Sequence, residues 1–198
     1  KEYGAVLKEG LYEDAERKET LLDLCRFSTN ESEDPISLSQ YLEKMPDTQK
    51  EIYYISAETS AQALASPHLE GFKSKNIPVL IMTDAIDQFW LPMVGSFKEK
   101  KFTSITQGKI NLDELDSKNK DKKNKSNDDK DKQDKEYVDL IAQLKVVLGD
   151  QVKDIRLSSK LTDSPVCLVA DEGDMDIAME QLMAQRDSNY KGAPRILE

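Results

Sequence analysis

The chain has 198 residues, enough for one medium domain or two small ones, and its 33% charged against 38% apolar residues point to a charged segment diluting an otherwise ordinary folded sequence. A formal net charge of −10 speaks against a nucleic-acid-binding protein, which needs a basic surface for phosphates. No run approaches the ~18 apolar residues of a membrane-spanning helix, and the charged opening KEYGAVLKEG lacks a signal-peptide pattern, so no membrane partner is expected. The two cysteines, Cys25 and Cys167, lie far apart inside apolar runs. They read as buried free thiols of a reducing compartment, and a cytoplasmic protein is expected. The start without Met and the end at RILE read as an excised piece of a longer protein.

In chain order, RKETLLDLCRF places Leu21, Leu22 and Cys25, with Leu24 at the edge, on one helical face. PISLSQYLEKM offers a helix start, with Ser37 and Gln40 at capping-box spacing and Ile36 and Tyr41 at staple spacing. Strand and helix then alternate. EIYYIS (51–56), PVLIM (78–82) and KKFTSIT (100–106) read as strands. Between the first two, Ser66 is an expected N-cap with Pro67 at the first helical position. Between the second and third, Ile86, Phe89, Trp90, Met93 and Val94 follow helical spacing, and Pro92 should kink or end that helix. The expected fold is a small right-handed βαβαβ unit with a parallel sheet, preceded by helices.

From Asp113 to Glu136 nearly every residue is charged or amide-bearing, with Leu115 the one apolar residue, and the two signs nearly cancel. Such a segment buries too little to offset its ordering entropy and reads as a linker or surface loop with a helical fringe. KEYVDLIAQLKVVLG (135–149) reads as an amphipathic helix ended by Gly149. VKDIRLS and PVCLVA read as strands, and DMDIAMEQLMAQ (174–185) as a helix. This second part is a separate α+β piece, so the whole is α/β plus α+β.

No active site assembles from these residues. The first strand-to-helix turn, SAETSAQ, has no glycine, and the second, TDAIDQ, carries two carboxylates that would repel phosphate. His68 is the lone histidine, expected near the start of a surface helix and without a partner at metal-ligand spacing. Asp84 and Asp87 read as helix-start carboxylates more readily than as an acid–base pair. What remains is apolar surface. Met175, Ala178, Met179, Leu182 and Met183 fall within a helical arc of about 140°, with Ile177 opposite. A core helix and a helix presenting one face to adaptable partners both fit this pattern. The Phe89-Trp90-Met93 cluster carries the same two readings, with one aromatic left partly exposed in the second.

AVLKEG, LCRFST, SLSQYLEKM, QKEIYYISAET, SPHLEGFKSKNIPVLIMTDAIDQFW, VKDIRLSSKLTDSPVCLVA and MEQLMAQ run in an order that resembles the bacterial branch of the heat shock protein 90 chaperone family. The resemblance covers nearly all but the charged segment. It implies that 1–112 is the latter part of a middle domain, 113–136 a linker, and 137–198 the start of a C-terminal dimerisation domain. The parent would be an ATP-driven homodimeric chaperone using ATP with magnesium in a domain absent here. This piece would then carry no cofactor, metal or catalytic residue, and would be monomeric or weakly associated. Its partners would be non-native client proteins. The resemblance places candidate client contacts at Phe89, Trp90, Met175, Met179, Leu182 and Met183, and Pro92 departs from the family's usual polar residue. The alternatives are a structural lever without client contacts, and a small α/β ligand-binding domain.

Overall fold

The computed structural model describes residues 3–14, 16–108, 110–112, 115, 126–187 and 189–198, with the backbone alone described over 126–136. The chain divides into two compact units, Lys1–Ile105 and Thr106–Glu198. The expected linker at 113–136 lies outside the described residues except for Leu115 and the backbone from Ser126 onward.

The first unit opens with α1 (Gly4–Glu13), for which the sequence reading had no helix, and α2 (Lys18–Leu24). A two-residue strand β1 (Ser28–Thr29) precedes α3 (Leu38–Lys44). The capping box of α3 forms as its sequence requires: the Gln40 N–H donates to Ser37 Oγ at 3.1 Å, and the Ser37 N–H donates to Gln40 Oε1 at 2.9 Å. Next come β2 (Ile52–Ser56), α4 (Ser60–Leu64) and a 3-10 turn at Pro67–Leu69 that runs into α5 (Glu70–Ser74). Ser66 caps that turn, but His68 is buried and not on the surface, as is Leu69 beside it. The unit closes with β3 (Leu80–Met82), α6 (Asp87–Val94), β4 (Ser96–Phe97) and β5 (Lys100–Ser104).

The βαβαβ core is parallel as expected. β2 lies centrally, with Ile55 opposite Ile81 of β3 and Tyr53 opposite Thr103 of β5. Two antiparallel edges extend it into a five-stranded mixed sheet, β1-β3-β2-β5-β4. These edges are two residues long, too short to show an alternation. The turn between β4 and β5 takes positive φ at Lys98 and Glu99 without the Gly or Asn that usually announces such a hairpin. Both sheet faces are covered, which parallel strands require. Ile52 joins Leu38, Tyr41, Leu80, Trp90 and Phe102 in the main core, while Tyr53 meets Phe72 of α5 edge-on at 5.2 Å. Tyr41 ties this core to backbone: its hydroxyl donates to Pro78 O at 2.6 Å and accepts from the Tyr53 N–H at 3.2 Å.

The second unit contains α7 (Ser126–Leu148), β6 (Asp154–Ile155), β7 (Leu168–Val169), α8 (Ile177–Arg186) and β8 (Ile196–Leu197). α7 begins at Ser126, well before the amphipathic pattern from Lys135, and gives way at Gly149 to a 3-10 turn with φ +49°. β8 lies between β6, to which it is parallel, and β7, to which it is antiparallel. The core is small: Cys167, Val169 and Ile196, with Leu161 packed on them. A polar clamp supplements it, because the buried Glu198 carboxylate accepts from Arg156 Nη2 at 2.6 Å and from Ser158 Oγ at 3.1 Å.

Candidate functional site

α8 starts at Ile177 and not at Asp174, because Asp176 takes the N-cap position and its Oδ1 accepts the Ala178 N–H at 2.9 Å. Met175 therefore precedes the helix in an exposed lead-in, 41% accessible, while Met179, Leu182 and Met183 lie half-buried along it. The sole buried residue of α8 is Glu180, which pairs with Arg195. Ile177, Glu180, Gln181 and Ala184 occupy the side opposite the methionines and line a shallow cavity of about 270 Å³ with Leu168, Tyr190, Gly192 and Arg195. Neither side of the helix is sealed by an apolar core. A helix of this kind is held in place by polar tethers and leaves thioether surface open to water.

α6 divides differently. On a helix turning about 100° per residue, Trp90, Leu91 and Val94 share one arc with Asp87, and Phe89 and Met93 lie opposite. The structure follows this division: Asp87, Trp90, Leu91 and Val94 are buried, Phe89 is half-buried and Met93 is 58% exposed. The expected partly exposed aromatic is thus Phe89. Trp90, at 0% exposure, offers no surface to a partner in this structure, since adjacent helical residues point about 100° apart. Its ring packs edge-on against Phe102 at 5.6 Å and tilted against Phe27 at 6.2 Å. Pro92 does not end the helix, which runs on to Val94 and stops at Gly95 with φ +68°. The Phe89 group belongs to the first unit and the α8 group to the second.

Asp84 and Asp87 are engaged by a residue that sequence reading overlooked. Lys8 Nζ lies 2.7 Å from Asp84 Oδ2 and 2.8 Å from Asp87 Oδ1, and 4.9 Å from the centre of the Phe27 ring. Asp87 Oδ1 also accepts the Trp90 indole N–H at 2.7 Å. Burial pulls the Lys8 ammonium down, but the Asp87 and Asp84 carboxylates outweigh it and hold its pKa above the ordinary 10.5. The support Lys8 lends the fold is therefore complete below 10.5 and lost as pH rises through the folded value. Lys8 lies in α1, 76 residues from Asp84, and no local spacing announces such a pair.

Neither of the two strand-to-helix turns fits a nucleotide phosphate. The turn before α6 is filled by two carboxylates already bound to Lys8, and the turn before α4 is capped by Thr59 with no glycine. Among the described residues no cluster of His, Cys, Asp or Glu has metal-binding geometry.

Residues 1–195 match the Hsp90 protein family. The chain belongs to the Hsp90 family. Within it, the chaperone protein HtpG of Roseobacter denitrificans is 41% identical over 196 residues, covering 99% of this chain and 31% of that protein. HtpG of Psychromonas ingrahamii is 44% identical over 188 residues, covering 93% of this chain and 29% of that protein. HtpG of Streptomyces coelicolor is 39% identical over 199 residues, covering 100% and 30%. The middle domain of a Plasmodium falciparum heat shock protein superposes with a TM-score of 0.49 and 37% identity over 52% of this chain and 44% of that one. This Hsp90-family chain thus spans about 30% of the length of the curated relatives it matches.

Proposed function

We propose that this chain is a segment of an ATP-dependent molecular chaperone that contributes contacts to non-native client proteins and couples the ATPase to the dimerisation domain. In this reading residues 1–112 are the latter part of the middle domain, 113–136 a linker and 137–198 the start of the C-terminal domain. ATP with magnesium is bound and hydrolysed elsewhere in a homodimeric, cytoplasmic parent, and the segment itself is not an enzyme. The observation that carries the client role is α8 with its lead-in, where exposed Met175 and half-buried Met179, Leu182 and Met183 keep accessible apolar surface. Methionine adapts its shape at low cost, which suits a surface that meets varied unfolded segments. Phe89 with its neighbour Met93 forms the corresponding patch on α6.

The burial of Trp90 favours a second reading, in which the whole segment, α8 included, is a structural lever without client contacts. One experiment separates the two. Met175, Met179 and Met183 are changed to Ser in the full-length protein, and binding of carboxymethylated, permanently unfolded α-lactalbumin is measured beside basal ATP hydrolysis. Client binding weakened by about tenfold with hydrolysis retained supports the client face, since three partly buried thioethers are lost from the contact. Unchanged affinity leaves the lever.

A further inference from the structure

Among the described residues, polar groups outside α8 meet its N-terminal end. Its apolar residues are at most half-buried, so no hydrophobic face clamps it. Polar tethers converge on its N-terminal approach. Thr106 Oγ1 donates to Asp176 Oδ2 at 2.8 Å, while the other oxygen of the same carboxylate caps the Ala178 N–H. Gln107 Nε2 donates into the 171–174 loop, with the carbonyl oxygens of Asp174 at 2.6 Å, Glu172 at 3.3 Å and Asp171 at 3.4 Å. Lys153 bridges Asp171 and Asp174 at 2.8 and 3.0 Å from the far side of the loop. Arg195 pairs with Glu180 and donates to Met175 O at 3.2 Å.

The backbone that carries Thr106 and Gln107 is itself fixed. The Ala170 N–H donates to Thr106 O at 2.9 Å, the Gly108 N–H donates to Ala170 O at 2.8 Å, and Arg156 Nη2 donates to Gly108 O at 3.1 Å. Gly108 has φ +67°, and a Cβ there would fall 2.9 Å from the Glu172 side chain, so the strap passes tightly under the 171–174 loop. This strap follows β5 without an intervening residue beyond Ile105, whose own N–H donates to Tyr54 O at 2.9 Å.

We propose that Thr106 and Gln107 are positioning residues for α8: together they latch its N-cap and lead-in loop and so set which side of the helix meets solvent. They act through Asp176 and the three carbonyls, and the latch is the first part of the second unit that the chain reaches on leaving β5. The latch stands on geometry alone, and only its consequence for client binding rests on the role proposed for α8.

Hydrogen exchange of the 198-residue chain, resolved by peptide, tests it with Thr106→Val, Gln107→Met and Thr106→Ser. The first two remove the donors and keep the volume, and the third retains the hydroxyl. Loss of a tether of this kind should speed exchange of the amides in 171–186 by about tenfold, with Thr106→Ser indistinguishable from the parent. Peptides covering β7 and β8 report the integrity of the second unit, and those covering β2 and β3 that of the first. Unchanged protection in 171–186 overturns the proposal. So does acceleration spread evenly over β7, β8 and α8, which would make these residues general supports and not a latch. Binding of carboxymethylated α-lactalbumin to the full-length protein is read separately. If the latch variants loosen α8 but neither they nor the methionine variants alter binding, the client role of α8 fails and the latch stands.

Discussion

Replacing Lys8 by Met tests the polar network under α6 most severely. The side chain is nearly as long and keeps its apolar stem, so packing survives while the charge goes. What remains is Asp87, at 0% exposure, without its counter-ion. Removing one partner of a buried ion pair costs about 3–5 kcal/mol. Asp87 retains two donors, the Trp90 indole at 2.7 Å and the Asp84 backbone N–H at 3.2 Å. The loss therefore falls at the lower end, about 3 kcal/mol, or about 15 °C in Tm for a unit of this size. Urea unfolding followed by the fluorescence of Trp90, the single tryptophan, reads the core in which the network sits. The deficit should depend on pH in one direction. Burial already raises the Asp87 carboxyl against the pull of Lys8, and without the ammonium it rises further. A carboxyl raised in the folded state weakens the fold where it is ionised, so the deficit is full above its folded pKa and fades as pH falls through that value toward 3.8. A deficit under about 1 kcal/mol at pH 7, the size expected of an exposed pair, would refute the reasoning. So would one that stays constant between neutral pH and the ordinary carboxylate range.

Further outcomes follow from single contacts. Ser37→Ala removes the hydroxyl that accepts the Gln40 N–H at 3.1 Å and should lower stability by about 1 kcal/mol in the same urea assay, with the slope unchanged. Cys25 is buried, and burial pushes its thiol up to about 11, so it should resist a thiol reagent at pH 8 in the native chain and react once urea unfolds it. Rapid native labelling of Cys25 would mean that α2 opens readily from the core.

Features that depend on near neighbours were legible in the sequence. The Ser37–Gln40 box, the Ser66–Pro67 start and the arrest at Gly149 are settled within four residues, by hydrogen bonds and φ preferences that the local side chains carry themselves. Two of the core strands were visible because burial on both faces demands apolar and aromatic runs such as IYYIS and LIM, and β5 because KKFTSIT alternates. The ordered motifs carried the family.

Tertiary structure decided the rest, and each case has a physical cause. A strand of two residues, such as β1 or β4, exists because a neighbouring strand offers it partners, not because of its own pattern. Phe89 and Trp90 are equivalent to a composition-based reading, but the rotation of about 100° between adjacent residues of α6 sends Trp90 into the core and leaves Phe89 at its margin. Lys8 meets Asp84 and Asp87 only because α1 packs along α6. The methionines of α8 show the division most clearly. Their spacing determined that an apolar arc would exist from the sequence onward. That Met175 lies exposed before α8 while Met179 and Met183 lie half-buried along it was settled by the fold, in which Thr106, Gln107 and Arg195 make polar contacts to the helix and its lead-in.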